Sequence, residues 1–316
     1  MFKGFANVWT PVIEAKHIRR KAVRVVVAGE PIVLFRDRHG TIGALIDRCP
    51  HRGAALSLGR VSEDGCLECP FHGWRFDRAG VNQHIPFNPD AKRDRLGAAA
   101  LPARQIADLI WIRTSPGAQI SDEPVAPDGL TKVGLARTYV ERLWNCHWTR
   151  AMENMLDSPH LPFVHRRTIG RAMRRRLRAD TRMDVTWEET PWGGRVRASQ
   201  DGETSPAFLD YYRPNMMVLN IPVPGKHLRI HALVIPEEMG RTRLILAGSR
   251  DFARTSLLNP WFSWQNGYIA NEDKAVVESG GSMEVPPASM ELSVATDKAT
   301  LQFRKYYYDV LRSSEA

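Results

Sequence analysis

Cys49-Pro50-His51-Arg52-Gly53 and Cys69-Pro70-Phe71-His72-Gly73-Trp74 decide how the rest of the chain is read. They offer four metal ligands as two short pairs, Cys-x-His and Cys-x-x-His, with Arg52 to Glu68 between them. Two thiolates and two imidazoles meet the needs of a [2Fe–2S] centre in which one iron takes both cysteines and the other both histidines. The flanking glycines and prolines suit tight turns whose backbone N–H groups approach bridging sulfides. A Cys₂His₂ set also satisfies zinc, and Cys66-Leu67-Glu68-Cys69 adds a Cys-x-x-Cys. A zinc finger, however, gathers its histidines after its cysteines on a helix. Each pair here mixes one cysteine with one histidine, which favours the iron–sulfur reading.

The runs C-P-H-R-G and C-P-F-H-G-W resemble the Rieske cluster motif, with Cys49, His51, Cys69 and His72 in the ligand positions. Cys66 and Cys146 are the remaining cysteines and are expected as free buried thiols, since four cysteines make no disulfide framework.

At 316 residues the chain has room for two domains. Its hydrophobic share of 43% and charged share of 25% are those of a globular protein. No apolar run reaches the ~20 residues of a membrane span, and Met1-Phe2-Lys3-Gly4 does not open a signal peptide, so the expected compartment is the cytoplasm, with no membrane partner. A formal charge of +9 comes without a recognised nucleic-acid motif. Steering of an acidic protein or an anionic substrate accounts for it better.

The first half reads as short strands and turns. Ala22–Val27 and Pro31–Arg36 are β-branched runs, Asp37-Arg38-His39-Gly40 turns into Thr41–Asp47, and Trp74–Asp77 and Leu109–Arg113 are further strands. A Pro-rich stretch from Thr114 to Gly129 follows as a linker. Beyond it, Thr131–Arg142 reads as a strand and Asn145–Leu156 as a helix with Trp148, Met152, Met155 and Leu156 at helical spacing. Arg182–Glu188, Arg195–Ser199, Met216–Ile221, Leu228–Ile235 and Arg241–Ala247 read as strands of one sheet. A helix capped by Asn259, with Pro260 in its first position, should run toward Val277, and another should start at Thr296. The expected fold is α+β. An all-β [2Fe–2S] domain, residues 1–118, is joined by a linker, 119–130, to a catalytic domain, 131–316, with an antiparallel sheet and covering helices in a helix-grip-like arrangement.

A second site lies where the first long helix ends. His160 and His165 flank the proline-broken turn of Glu153-Asn154-Met155-Leu156-Asp157-Ser158-Pro159-His160-Leu161-Pro162-Phe163-Val164-His165. Two imidazoles and one carboxylate on one face of a ferrous ion leave the opposite positions open for O₂ and substrate. The segment Glu272-Asp273-Lys274-Ala275-Val276-Val277-Glu278 is the best acidic candidate for the carboxylate.

Glu-Asn-x-x-Asp-x-x-His-x-x-x-x-His after a Rieske motif resembles the mononuclear iron site of the Rieske non-haem iron oxygenases, especially shorter members such as the dicamba and vanillate O-demethylases. The resemblance implies His160, His165 and Asp273 as ligands of a mononuclear Fe(II), Asn154 close to that iron, and Asp157 as its link to a cluster histidine of a neighbouring subunit. It also implies a head-to-tail homotrimer in which His72 of one subunit meets Asp157 of the next, an interface type that closes into a ring. Trp264 is a candidate for the substrate pocket, with His227, His231, Asn215 and Asn220 as weaker ones. Arg166, Arg167, Arg171, Arg174, Arg175, Arg176 and Arg178 form either a solvated surface run or a docking face for an acidic electron donor.

Full reduction of O₂ takes four electrons and insertion of one oxygen atom into a substrate supplies two, so two arrive from outside. The chain holds no Gly-x-Gly-x-x-Gly fingerprint and no second four-cysteine cluster. A separate NAD(P)H-dependent reductase, with or without a ferredoxin, is therefore expected to serve a terminal oxygenase that hydroxylates or oxidatively demethylates a small aromatic or alicyclic molecule. Desaturation or N-oxygenation at the same iron is the alternative within enzymes. A Rieske electron-transfer protein is the alternative outside them, though it would leave the second half of the chain without a purpose.

Overall fold

The computed structural model describes residues 1–117 and 122–313. The chain divides into two compact units, Met1–Pro124 and Val125–Ala316. Part of the expected linker, 119–121, lies outside the described residues, and its end carries a short helix, α1 (Asp128–Thr131).

The N-terminal unit is antiparallel throughout. Its strands are β1 (Trp9–Glu14), β2 (Val23–Val27), β3 (Glu30–Arg36), β4 (Ile42–Ile46), β5 (Arg60–Val61), β6 (Leu67–Glu68), β7 (Arg75–Phe76), β8 (Asn82–His84), β9 (Ala103–Ile106) and β10 (Leu109–Arg113). They form three small sheets ordered β1-β10-β9, β2-β3-β4 and β5-β6-β7-β8. Ala28 and Gly29 both take positive φ in the two-residue turn between β2 and β3, the geometry that matches the twist of paired strands. Asp37 and Asp77 build equivalent turns. Each carboxylate accepts two backbone N–H bonds, from His39 and Thr41 in one turn and from Ala79 and Val81 in the other. Val33, Phe35, Leu45, Leu56, Leu67 and Phe76 pack into one core that also takes in Cys49 and Cys69. The ligand loops are thus anchored on packed side chains at their cysteines.

The C-terminal unit is built on one antiparallel sheet of seven strands, ordered β11-β17-β16-β15-β14-β13-β12. These are β11 (Ala136–Trp144), β12 (Met183–Thr190), β13 (Gly193–Gln200), β14 (Glu203–Tyr212), β15 (Met216–Asn220), β16 (Leu228–Glu238) and β17 (Arg241–Arg250). The helices are α2 (Trp148–Leu156), α3 (Leu161–Val164), α4 (Arg171–Arg176), α5 (Asn259–Ser279) and α6 (Lys298–Tyr306). Helix α2 buries Trp148, Ala151, Met152, Met155 and Leu156, a stripe at helical spacing, against β15, β16 and β17. Helix α5 packs on β11 and β17, where Gly248 allows close approach: a Cβ there would lie 2.8 Å from Asn266 Nδ2 and 2.9 Å from Thr138 Oγ1.

Four sequence expectations shift. The first strand of this unit starts at Ala136 and not at Thr131, which ends α1. Helix α2 begins at Trp148, after His147, whose ring accepts from the Thr149 N–H. Strand β14 was not foreseen because Pro206 interrupts it. The register with β13 shifts between Arg197 and Ser199 and the pairing with β15 starts at Phe208, so Pro206 falls where neither ladder uses its missing N–H. Asn259 does not cap α5. It lies in the helix's first turn in αR geometry, and its Oδ1 accepts from Arg250 Nη2 at 2.6 Å. The helix then runs unbroken through Asn266-Gly267. No helix among the described residues is long and apolar enough to cross a membrane.

Candidate metal centres

The two ligand loops of the N-terminal unit have the same local design. In each, the cysteine N–H donates to the carbonyl five residues on, Cys49 to Ala54 and Cys69 to Trp74, both at 2.8 Å. The glycine four residues on returns a bond to the cysteine carbonyl, Gly53 at 2.9 Å and Gly73 at 3.1 Å. Both glycines take positive φ, +74° and +70°, where any other residue would be strained. Cys49 and Cys69 are each 2% exposed and face one another. Burial, then the neighbouring Cys69, push the Cys49 thiol up to about 11; binding a metal removes that cost by taking the thiolate. The His51 and His72 rings meet edge to face with centroids 4.6 Å apart, and Trp74 stacks on His51 at 4.5 Å. His51 Nδ1 is buried with no hydrogen-bond partner among the described residues. Two adjacent thiols on one side and two converging imidazoles on the other fit a two-iron cluster, which takes both ligand types at once.

In the C-terminal unit, the end of α2, α3 and the middle of α5 converge. His160 Nε2 lies 3.5 Å and His165 Nε2 3.0 Å from Asp273 Oδ1. The outer nitrogens are already held. Asp157 Oδ2 stands 3.2 Å from His160 Nδ1 and accepts the His160 backbone N–H at 3.0 Å. Glu272 Oε2 stands 2.9 Å from His165 Nδ1 and accepts the Thr168 hydroxyl at 2.7 Å. A carboxylate on Nδ1 fixes the tautomer with the proton there, so both Nε2 atoms present lone pairs. They point with Asp273 Oδ1, itself buried and without a hydrogen-bond partner among the described residues, at one locus. Three acceptors sharing a locus repel unless a cation joins them, and two imidazoles with one carboxylate are a donor set for ferrous iron. Burial pulls the His165 imidazole down, but Asp273 and Glu272 outweigh it and its net direction is up, the same demand for positive charge.

These groups open on a cavity whose walls are apolar, including Met155, Leu209, Met217, Ile230, Leu246 and Ile269. Asn154 also lines it, and its Nδ2 is buried without a partner among the described residues. On α5 the lining residues are Asn266, Ile269, Ala270 and Asp273, one helical face. Trp264 is not on that face. It is 64% exposed and lies against Tyr268, so the expectation that it lines the pocket is corrected. His227 and His231 share the Ser249 hydroxyl at 2.9 and 3.0 Å, and burial pushes His231 down to about 3. Asn215 donates to the Val234 carbonyl at 2.8 Å. None of these three, nor Asn220, lines the cavity. The seven arginines from Arg166 to Arg178 are all exposed.

Sequence reasoning left Glu272 only as a rival to Asp273 for the metal; the structure brings it to the far side of His165 instead. The adjacency was the available signal, since neighbouring helical residues point about 100° apart.

Residues 8–100 match the Rieske [2Fe-2S] domain and residues 144–312 the vanillate O-demethylase oxygenase C-terminal domain. The second match alone spans more than half of the chain, and the protein belongs to the Rieske oxygenases with a C-terminal domain of the vanillate O-demethylase type. Among curated relatives, methylxanthine N3-demethylase NdmB of Pseudomonas putida is 27% identical over 97% of this chain and 89% of its own. The oxygenase component of dicamba O-demethylase from Stenotrophomonas maltophilia is 31% identical over 51% of this chain and 47% of its own. The solved structure of NdmB from P. putida CBB5 superposes with a TM-score of 0.79 at 25% identity, covering 98% of this chain and 92% of that one. The chain spans only 39% to 51% of the length of several other curated relatives it matches.

Proposed function

We propose that this chain is the terminal oxygenase of a multicomponent system, in which Cys49, His51, Cys69 and His72 hold the [2Fe–2S] cluster and His160, His165 and Asp273 hold one ferrous ion. The observation that carries the reading is the convergence of two Nε2 lone pairs and one unpartnered carboxylate oxygen at the end of an apolar cavity. When bound, the cluster supplies electrons singly and the ferrous ion activates O₂. The residues of the chain do the rest. Asp157 and Glu272 hold the imidazoles by their outer nitrogens, the apolar walls exclude water and select a small, largely apolar molecule, and Asn154 offers a buried donor beside the ligands.

Hydroxylation or oxidative demethylation is the outcome that fits the family, whose members here include named O- and N-demethylases. Electron transfer alone does not account for the oxygenase match over residues 144–312. Electrons come from a separate NAD(P)H-dependent reductase, with or without a ferredoxin, and the exposed arginines from Arg166 to Arg178 suit docking of an acidic donor. Asp157 joins the two kinds of metal site across a head-to-tail homotrimer in the cytoplasm. The test is His160→Ala. Purified protein should keep two irons and two acid-labile sulfides per cluster, with a rhombic EPR signal on reduction, while losing the mononuclear iron and turnover. Loss of the cluster signal in that variant would refute the separation of roles.

A further inference from the structure

The space beside the ligands is too small for a whole substrate. The metal-proximal cavity holds about 60 Å³, whereas an apolar cavity of about 150 Å³ accepts a single benzene ring. A methyl group or the edge of a ring fits beside the ligands, and the body of the molecule has to lie elsewhere. A second cavity of about 530 Å³ adjoins the first, and Leu161, Ile169, Leu209 and Leu219 border both.

The strand register gives the two spaces one floor. Val196, Leu209, Leu219 and Ile230 stand directly opposite one another across β13, β14, β15 and β16, so their side chains leave the sheet on the same face. Leu209, Leu219 and Ile230 line the smaller cavity, and Val196, Leu209 and Leu219 the larger. From Ile230 to Val196 this floor crosses three strand spacings, ~14 Å. Ala207 and Ile221 each lie two residues farther along their strands and extend the floor on that face. The opposite wall is the segment that follows the histidine turn, through Ile169, Ala172 and Met173. Gly170 keeps this wall tight against the turn: a Cβ there would lie 1.8 Å from the Leu161 carbonyl oxygen, and its N–H donates to the His165 carbonyl at 3.0 Å.

The chemistry of the larger cavity is apolar and uncharged. Ile169, Met173, Leu219 and Ile221 are only half-buried, and apolar side chains left open together around a concave space mark a surface that a ligand covers. The charged residues that line it, Arg176 and Glu203, pair with each other at 2.9 Å and leave no charge to be matched. Ser199, Gln200, Thr204 and Ser205 add polar groups only at the β13–β14 hairpin end, beyond Ala207.

We propose that the larger cavity binds the body of the substrate, an uncharged apolar molecule of about two or three rings, and that only the group to be oxidised enters the small space at His160, His165 and Asp273. The inference rests on the oxygenase reading of the metal-proximal cavity and adds to it the size and charge of the substrate.

Anaerobic equilibrium dialysis of the metal-loaded holoenzyme against anisole, 2-methoxynaphthalene and 6-methoxy-2-naphthoate tests this, because the three probes share a methoxy group and differ in ring count and charge. 2-Methoxynaphthalene should bind on the order of tenfold tighter than anisole and on the order of tenfold tighter than the naphthoate, whose charge the cavity cannot match. In Ala207→Trp, which fills the larger cavity from its floor, the preference for two rings over one should shrink to about twofold or less with the melting temperature unchanged. Ala172→Trp, on the exposed helix α4, should do the same from the opposite wall and decides the matter if Ala207→Trp does not fold. Equal affinity for one ring and two, a naphthoate that binds as tightly as the neutral probe, no binding of any probe at its solubility limit, or a size preference undiminished in a folded tryptophan variant would overturn the inference. Failure of the oxygenase reading would look different: the size preference would persist in protein that takes up no ferrous ion beyond its cluster.

Discussion

Replacing Glu272 by glutamine tests whether the second carboxylate on α5 serves the metal without touching it. Glu272 Oε2 is 2.9 Å from His165 Nδ1 and 2.7 Å from the Thr168 hydroxyl. An amide of the same shape keeps one acceptor oxygen but loses the charge. A hydrogen bond to a charged group contributes about 1.5–3 kcal/mol against about 0.5–1.5 for a neutral one, so the exchange should cost ~1.5 kcal/mol. That corresponds to roughly tenfold in iron affinity, at the lower end of the 10–100-fold commonly lost when a ligand's outer partner is removed. Anaerobic competition with a ferrous chelator measures it, and the cluster absorbance in the other unit serves as an internal control. Glu278→Gln is the matched control, since Glu278 accepts from the Asn145 N–H at 2.6 Å and pairs with Lys274 at 3.7 Å, away from His165. Wild-type affinity in Glu272→Gln, or an equal loss in Glu278→Gln, would refute the reasoning.

Asp157→Asn should load iron and accept electrons into the cluster normally yet form little product in a single turnover with substrate and O₂; product at the wild-type rate would reduce Asp157 to the cap of the His160 turn. Gly248→Leu should push α5 away from β17, because its first added carbon would already sit 2.8 Å from Asn266 Nδ2; thermal denaturation should show a loss of about 1–3 kcal/mol, and iron content should fall because Asp273 rides on α5. Burial pushes the Cys66 and Cys146 thiols from 9.0 up to about 11. Their contribution to stability is therefore full below about pH 9 and lost as pH rises toward 11, and neither should react with iodoacetamide at pH 8 in the native protein.

The cluster loops were legible because their chemistry is local: four ligands, two glycines and the turns that need them lie within 25 residues of sequence, from Cys49 to Gly73. His160 and His165 were legible for the same reason. The carboxylate was not fixed by spacing, since α5 presents Glu272, Asp273 and Glu278 in succession and only packing on β11 and β17 chooses which one faces the histidines. Trp264 failed on that point, sitting on the outward side of a helix whose inward face is 266, 269, 270 and 273. Strand β14 was hidden by Pro206, which a register shift accommodates. The cavity walls from β14 to β17 were illegible in principle, because residues from four strands meet there only once the sheet has formed.

The distribution of charge around the ligand set follows from what it has to hold. Around His160 and His165 stand three carboxylates, Asp157, Glu272 and Asp273, whose side chains are 26%, 16% and 6% exposed. Three partly buried anions balanced by nothing but neutral imidazoles would be strongly unfavourable, and a dication at the shared locus relieves that repulsion while leaving a residual negative field. An arginine placed there would compete with the metal for Asp273. The cation along that face of the sheet is instead Arg250 of β17, two rungs beyond Leu246, where it does not disturb the ligands. The ligand end thus keeps its negative charge for the metal, with the nearest guanidinium on that face held clear of Asp273.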